Sequence, residues 1–197
     1  MSTTTYLFDF DDTLISTKIY SDIYEPILLM IRNKLKLSIE EIDKKAPELG
    51  LKKNKFGRWD SGDLCRELGL TEEYYHILGK HIEVIPILHD KVIEVFEKIT
   101  FEKKKIGIVS NSRRRTISLY LHKYELLKYI EFIFSQDDAG CRKNEEFFWK
   151  KLLAKEKLIA KDCLVIGNDP VDDIKVPQKF GFNTKLITDK DLTKIFI

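Results

Sequence analysis

The sequence predicts an α/β fold, in which helices cover both faces of a parallel sheet and a small all-helical domain is inserted. Short apolar runs alternate with segments of helical period, such as residues 117–124 and 148–153, and the connections are long enough for crossovers. The chain has 197 residues, of which 43% are hydrophobic and 34% charged, so a real core lies beneath an ionised surface. At about 150 residues per domain, this length suits one large domain or a core with a small accessory domain.

Five short apolar runs are predicted to be buried strands. The first covers residues 6–10 and turns abruptly acidic at Asp11 and Asp12. The other four are bounded by polar residues or glycine and cover residues 106–109, 132–134, 163–166 and 185–187. In a parallel sheet covered on both faces, ligands bind beyond the carboxyl ends of the strands. We therefore expect the active site at those ends.

The stretch between the first two strands offers helix patterns without a convincing strand. It is predicted to be a helical domain of residues 16–98, inserted into a core domain of residues 1–15 and 99–197. Helical spacing at residues 92–99 is expected to bring the chain back to the sheet.

Within the inserted segment, three helices have recognisable beginnings. Apolar residues recur every four positions over residues 23–35, and Ser21 before them is the predicted N-cap. Asp60 or Ser61 is predicted to cap a second helix. Thr71, followed by two glutamates, is predicted to begin a third, since acidic residues stabilise the first turn of a helix.

Charge and composition argue against several classes of function. The formal net charge of +2 gives no broad basic field, so nucleic acid is not an expected partner. No apolar run approaches the ~20 residues that cross a bilayer, and residues 1–5 lack signal-peptide features, so we expect a cytoplasmic protein with no membrane partner. A monomer or a weak dimer is expected, although no motif settles the oligomeric state. The three cysteines stand far apart, which disfavours a disulfide framework or a zinc cluster.

Three carboxylates follow the first predicted strand, at Asp9, Asp11 and Asp12. They would repel one another unless a cation lay between them, and Mg²⁺ suits such oxygen ligands best. In an extended segment Asp9 and Asp11 point to the same side, whereas Asp12 points away. The alternative is a solvated acidic loop or a helix-capping cluster.

Ser110 and Asn111 follow the second predicted strand. Their hydroxyl, amide and backbone N–H groups are predicted to bind phosphate oxygens, although Ser-Asn after a strand is also an ordinary turn signal. Three arginines at residues 113–115 then open a helix; we expect them to be mainly solvated, and their role stays open.

A second acidic edge follows the fourth predicted strand, at Asp169 and Asp173. It strengthens the case for a metal, because Asp169 can reach the cation from the loop. Asp173, on the following helix, is predicted to hold a neighbouring cation such as a lysine. Lys143, which precedes an amphipathic helix, is our choice for that lysine, although most lysines are simply surface residues.

Taken together, these residues resemble the four signature motifs of the haloacid dehalogenase-like superfamily of hydrolases. The motifs occur in order over essentially the whole chain: Asp9-x-Asp11-x-Thr13, then Ser110, then Lys143, then Asp169 with Asp173. The resemblance implies a Rossmann-like core with a helical cap between the first and second motifs. The fourth motif departs from the family, because Gly167-Asn168-Asp169 replaces the commoner Gly-Asp; of Asn168 and Asp169, we favour Asp169 as the metal ligand.

The resemblance also implies a mechanism. Asp9 would be the nucleophile that forms an aspartyl-phosphate, and Asp11 would be the general acid and base, with its backbone carbonyl on Mg²⁺. Thr13, Ser110 and Lys143 would position the phosphoryl group. Asp173 would orient Lys143. Dehalogenation is disfavoured, because a dehalogenase needs no acid two residues after its nucleophile.

The implied function is a Mg²⁺-dependent phosphatase acting on a small phosphorylated metabolite. A phosphomutase of the same superfamily and a non-catalytic phosphate-sensing module remain alternatives, as does a partner-binding protein whose catalytic site is vestigial. Basic residues beside Trp59 could guide an anionic substrate, although a solvated charge run is the commoner meaning of such a stretch; they are Lys52, Lys53, Lys55 and Arg58. The physiological phosphoester stays open.

Overall fold

The computed structural model describes residues 3–54, 56–86, 88–189 and 191–196. The chain divides into two compact units, one formed by Met1–Ser16 with Ile87–Ile197 and the other by Thr17–Pro86. The first unit contains a parallel sheet with helices, which confirms the predicted α/β class.

Five parallel strands form the sheet, in the order β3-β2-β1-β4-β5. They are β1 Thr5–Phe8, β2 Lys105–Ser110, β3 Phe132–Ser135, β4 Cys163–Gly167 and β5 Asn183–Leu186. All five correspond to predicted apolar runs, with β5 beginning earlier than its apolar residues do. The central strand β1 pairs Phe8 with Ile108 on one side and Ile166 on the other. The carboxyl ends of β1, β2 and β4 therefore lie side by side.

The helices are numbered along the chain. In the second unit they are α1 Lys18–Asp22, α2 Tyr24–Leu35, α3 Ile39–Glu48, α4 Ser61–Glu67 and α5 Thr71–Val84. In the first unit they are α6 Val92–Phe101, α7 Arg114–Lys123, α8 Gln136–Ala139, α9 Glu146–Glu156 and α10 Val176–Gln178. This unit also contains a π-helical turn at Pro170–Lys175 and short 3₁₀ turns at Leu127–Tyr129, Ala160–Asp162 and Leu192–Phe196. No helix in the described ranges is both long and apolar enough for a membrane crossing.

The expected boundary at residue 98 is wrong, because the structure assigns α6 to the first unit. The ring of Phe96 in α6 lies 5.1 Å from the ring of Phe8 in β1, so the helix packs on the sheet along its buried face. A helix with this packing forms part of the core that it covers.

Aromatic side chains fill the core on the side of α9. The ring of Phe134 in β3 lies 5.0 Å from that of Phe148, and the ring of Trp149 lies 5.3 Å from that of Phe182. Such edge-on contacts between buried rings add to the free energy gained by burying their area. The indole N–H of Trp149 also donates to the backbone carbonyl of Lys143 at 2.7 Å, which joins this core to the segment before α9.

The second unit differs from expectation at its first helix. Ser21 lies inside α1, and α2 begins after the buried Ile23, so the predicted N-cap is wrong. Asp60 does cap α4, since its carboxylate accepts from the Asp63 N–H at 2.8 Å. The third predicted helix, α5, begins at Thr71 as expected.

The basic stretch near Trp59 makes contacts inside the second unit. Lys53 and the Trp59 indole both donate to the carboxylate of Asp43, at 2.9 and 2.7 Å, and the guanidinium of Arg58 lies 5.1 Å from the Tyr24 ring centroid. These contacts give Lys53 and Arg58 packing roles within their own unit. Lys55 lies outside the described residues.

Candidate functional site

The loop after β1 places Asp9 and Thr13 against each other. Asp9 continues the strand for one residue, since its N–H donates to the Ile166 carbonyl at 2.8 Å. Asp12 adopts the left-handed conformation, with φ of 57°, and its N–H donates to the Ile15 carbonyl at 2.8 Å. This turn folds the loop back, so that the buried Thr13 hydroxyl donates to Asp9 Oδ2 at 3.0 Å.

Lys143 lies between two carboxylates in the interior. Its ammonium group donates to Oδ1 of Asp9 and, at 2.6 Å, to Oδ1 of Asp173. All three residues are buried: Lys143 is 2% exposed, Asp9 is 5% exposed and Asp173 is 1% exposed. A buried charge is tolerated only when it is paired, so the three groups depend on one another. The structure thus brings together the ends of β1 and β4 and the segment before α9.

Burial and these neighbours change the acidity of the central pair. Burial raises the pKa of Asp9 to about 7; Asp173 and Asp11 act in the same direction, whereas Lys143 opposes them. For Lys143, burial disfavours the charged form, but the carboxylates of Asp9 and Asp173 outweigh it and raise its pKa above the ordinary value. Lys143 is therefore a permanent cation, and Asp9 is a carboxylate that depends on nearby positive charge to stay ionised.

Gly167 makes room for the carboxylate of Asp173. A Cβ atom on Gly167 would overlap the carboxyl carbon and Oδ2 of Asp173. Oδ2 of Asp173 also accepts from the Asp169 N–H at 2.9 Å, so this carboxylate has little freedom to move. The glycine at the end of β4 is therefore a condition for the Lys143–Asp173 ion pair.

The substitution Gly167→Ala is expected to destabilise the protein by about 1–3 kcal/mol and to lower any activity that needs Lys143, because the new methyl group displaces Asp173. Urea denaturation measures the change in the free energy of unfolding. The matched control is Gly79→Ala in α5, where a Cβ meets nothing within 4 Å. The free energy of unfolding of this variant is expected to increase by about 0.5–1 kcal/mol. Equal stabilities of the two variants would contradict this role of Gly167.

The structure reverses the preference for Asp169 over Asn168. Oδ1 of the exposed Asp169 accepts from the N–H groups of Val171 and Asp172, at 2.7 and 2.8 Å, so this carboxylate caps the π-helical turn. The amide oxygen of the half-buried Asn168 instead lies 3.4 Å from the Thr13 hydroxyl, which is itself bonded to Asp9. Asn168, and not Asp169, is the side chain that reaches the Asp9 cluster.

Pro170 directly after Asp169 is the sequence signal for such a cap, because proline favours the first turn of a helix.

Asp11 is held by a residue to which the sequence assigns no role. The hydroxyl of Ser112 donates to Asp11 Oδ2 at 2.5 Å, and the Ser112 N–H donates to the hydroxyl oxygen of Ser110 at 2.9 Å. The loop after β2 therefore fixes Asp11 and the fully buried Ser110 together. Because Ser110 accepts a hydrogen bond through its oxygen, its own O–H remains a donor.

Asn111 does not present its side chain as the predicted phosphate ligand. Its amide oxygen accepts from the Lys143 N–H at 2.8 Å, and its amide nitrogen donates to Asp172 Oδ2 at 2.8 Å. Both ends of the amide are thus bound to protein groups. The sequence signal for this role is weak, since an asparagine after a strand is common in turns.

Two of the three arginines, Arg113 and Arg114, are partly exposed and paired with acidic residues, whereas Arg115 is exposed. Arg113 donates to Asp137 at 2.8 Å, and Arg114 donates to both oxygens of Asp138 at 2.8 Å. These contacts hold the start of α7 to the start of α8. These ion pairs argue against a role for Arg113 and Arg114 in binding substrate.

A divalent cation fits the oxygen chemistry near Asp9, although the side chains of the predicted Asp9, Asp11 and Asp169 do not form a ready-made carboxylate cluster. Within the described ranges, no group of three or more His, Cys, Asp or Glu side chains is arranged to hold a metal ion. The carboxylate of Asp9 and the amide oxygen of Asn168 do converge, through contacts of 3.0 and 3.4 Å to the Thr13 hydroxyl. Carboxylates, amide oxygens and backbone carbonyls are the donors that Mg²⁺ accepts, commonly with several waters retained.

Comparison with protein families places this arrangement in a known group. The family model described as haloacid dehalogenase-like hydrolase matches residues 6–187 of the chain. The match includes residues 6–8 of β1, all of β2 and β4, and the loops that follow these strands, and so every residue of the cluster around Asp9.

Several solved structures share the fold. A HAD phosphatase from Thermococcus onnurineus is 19% identical, with a TM-score of 0.72 over 95% of this chain and 86% of that one. The HAD-hydrolase YfnB from Bacillus subtilis, bound to magnesium, is 18% identical, with a TM-score of 0.65 over 100% and 98%. A 2-haloacid dehalogenase from Pseudomonas syringae is 16% identical, with a TM-score of 0.68 over 97% and 88%. At these identities the likeness establishes the fold, and both reaction types occur among the neighbours.

Proposed function

Because the chain belongs to the haloacid dehalogenase-like hydrolases, we propose that it is a Mg²⁺-dependent phosphatase of small phosphomonoesters. The observation that carries this proposal is the cluster at the end of β1. The buried carboxylate of Asp9 is bound by Thr13 and Lys143, and a second carboxylate, Asp11, follows two residues later, bound by Ser112. This arrangement supplies a nucleophile, a cation and a separate acid.

Asp9 and Asp11 have complementary tasks in the proposed reaction. An oxygen of Asp9 attacks phosphorus, the bond from phosphorus to the ester oxygen breaks, and Asp11 donates its proton to the leaving alcohol. Water then attacks phosphorus in the aspartyl-phosphate, Asp11 takes the proton of that water, and Asp9 leaves as a carboxylate. The bond from Ser112 to one oxygen of Asp11 supports this role, because it orients the carboxyl group.

Lys143, Ser110 and Thr13 are assigned to charge and position. Phosphoryl transfer depends mostly on these two effects, because the protein has little covalent chemistry to perform. Lys143 compensates the negative charge beside Asp9, and Ser110 keeps an O–H donor at the end of β2. Thr13 holds Asp9 through its hydroxyl, so any contact of Thr13 with phosphate would come from its backbone.

The residues assigned to Mg²⁺ are Asp9, Asn168 and the backbone carbonyl of Asp11, the last by resemblance to the family. When bound, the cation supplies charge stabilisation for the phosphoryl oxygens. Asp9 must give up its proton to become a ligand, so affinity depends on pH.

The pH dependence of Mg²⁺ affinity follows from the raised pKa of Asp9. Burial places the pKa of Asp9 at about 7, so below this pH the cation competes with a proton for Asp9. The dissociation constant of Mg²⁺ is therefore expected to rise about tenfold for each unit by which the pH falls. Above that value the constant levels off. Isothermal calorimetry on the wild type measures this profile, with Asp9→Asn as the control that lacks it. A constant that does not change between about pH 5.5 and about pH 8 would count against Asp9 as a ligand.

Asp11→Asn separates substrates by their leaving groups. Esters of ordinary alcohols need a proton at the leaving oxygen, so their kcat/KM is expected to fall by about 10²–10⁴-fold. p-Nitrophenyl phosphate needs that proton far less, because its leaving group is a weak base, and its kcat/KM is expected to fall much less. The comparison uses kcat/KM because it reports the first chemical step. The same loss for both substrate types would remove Asp11 from the role of general acid.

A panel of phosphorylated metabolites, with and without Mg²⁺, tests the proposed function directly. Release of inorganic phosphate that requires Mg²⁺ is the expected result, and the helical unit inserted between β1 and β2 is assigned the choice among substrates. Isomerisation of sugar phosphates without phosphate release would identify a phosphomutase. Phosphate binding without turnover would identify a sensing module, and halide release from 2-haloacids would identify a dehalogenase.

A further inference from the structure

Asn111 joins three segments that are far apart in the sequence. It follows β2, accepts from the Lys143 N–H before α9 at 2.8 Å, and donates to Asp172 in the π-helical turn after β4 at 2.8 Å. Lys143 and Asp173, the neighbour of Asp172, form the buried ion pair at 2.6 Å. A single amide therefore contacts the chain at both ends of that pair.

The two partners fix the orientation of the amide. The Lys143 N–H is a donor and must face the amide oxygen, whereas the Asp172 carboxylate is an acceptor and must face the amide nitrogen. Aspartate at this position would keep the first bond but place two carboxylates together. A serine would be too short for both. The site thus requires one donor and one acceptor at the ends of one planar group.

We propose that Asn111 is a positioning residue, which holds Lys143 and Asp173 in the geometry that directs the Lys143 ammonium group at Asp9. This inference rests on the proposed function only for its effect on catalysis, and its structural part stands without it. Asn111 acts on Lys143 through the backbone N–H, and on Asp173 through the adjacent Asp172. Small displacements of a charged group at a reacting centre have large effects on rate, which is why such a bridge affects turnover.

An exchange of the two partners tests the bridge. Asn111→Asp removes the donor that faces Asp172, and Asp172→Asn in the same chain supplies a donor from the other side. The double variant N111D/D172N therefore restores a complementary pair with the same total charge. Asn111→Ser removes both bonds without adding charge, and it remains informative if N111D folds poorly. The matched control is Asn183→Ser, since Asn183 also links two segments, by donating to the carbonyls of Lys161 and Cys163 at 2.8 and 3.2 Å, but at the start of β5.

Two readouts are needed, one of them independent of activity. The first is kcat for p-nitrophenyl phosphate with Mg²⁺. The second is reductive methylation of Lys143 by formaldehyde and cyanoborohydride, followed by peptide mass spectrometry. Lys150, whose side chain is 62% exposed, is the internal reference that reacts equally in all variants.

N111D and Asn111→Ser are expected to lose about 100-fold in kcat and to gain methylation at Lys143. In the double variant, kcat is expected to return to within about tenfold of the wild-type value, and Lys143 is expected to be protected from methylation again. Asn183→Ser is expected to change neither readout. Wild-type values in both Asn111 variants would overturn the proposal. A loss of kcat with Lys143 still protected would also overturn it, since the effect would then not pass through Lys143. If the wild type releases no phosphate, the proposed function fails, and the methylation pattern alone decides the role of Asn111.

Discussion

Asp9→Asn is expected to reduce phosphate release by at least about 10³-fold while the protein stays folded. An amide nitrogen cannot act as the nucleophile, and the amide oxygen is far weaker than a carboxylate. The fold is retained because the amide oxygen still accepts from Lys143, and the Thr13 hydroxyl can turn to accept from the new amide nitrogen. Initial rates with p-nitrophenyl phosphate and Mg²⁺ measure the loss, and circular dichroism checks the fold.

The matched control is Asp12→Asn, the same substitution three residues later. Asp12 has a φ of 57°, a conformation that asparagine adopts readily. Turnover within about threefold of the wild type is therefore expected. If Asp9→Asn kept the activity of this control, Asp9 would have no place in the mechanism.

Lys143→Met has the largest expected effect on stability. Removing one partner of a buried ion pair leaves the other charge uncompensated, which costs about 3–5 kcal/mol. Here the substitution leaves two carboxylates, Asp9 and Asp173, without the cation between them. Activity is expected to fall as well, because the phosphoryl group loses its cationic neighbour. Urea denaturation measures the free energy of unfolding.

The loss in Lys143→Met is expected to be larger at about pH 8 than at about pH 5. Without Lys143, burial raises the pKa of Asp9 further above the unfolded value of about 3.9. As the pH rises, the unfolded chain releases that proton first, so stability falls until the folded form has also ionised. Lys155→Met is the control, since Lys155 pairs with Asp138 at 2.6 Å but is half exposed, and a cost below about 1 kcal/mol is expected. Equal costs in the two variants would contradict the central place of the Lys143 pair.

The sheet and the cluster around Asp9 were largely predictable from the sequence. A parallel strand that is covered on both faces must be apolar throughout, so runs such as residues 163–166 are visible without a structure. Polar residues directly after such runs must meet at one edge of the sheet, which is why Asp9 and Ser110 were found. Lys143 lies on no strand; its place before an amphipathic helix makes it a candidate among many lysines, and the family resemblance supplies its role.

Other features depend on contacts that spacing does not show. The choice between Asn168 and Asp169 turned on which side chain caps the π-helical turn, and a carboxylate suits both a cap and a metal. The boundary near residue 98 depended on the packing of α6 against Phe8, which helical periodicity cannot reveal. Helix α3 is not among the predicted helices, although Ser38 and Glu41 form a capping box whose spacing is visible in the sequence.

Trapping the covalent intermediate tests the role of Asp9 most directly. The protein is mixed with p-nitrophenyl phosphate and Mg²⁺, quenched in acid during turnover, digested and examined by mass spectrometry. We expect a phosphoryl group on the peptide that contains Asp9, removable by hydroxylamine and absent from Asp9→Asn. Rapid turnover with that peptide unmodified, or with the phosphoryl group on another residue, would contradict the assignment of Asp9 as the nucleophile.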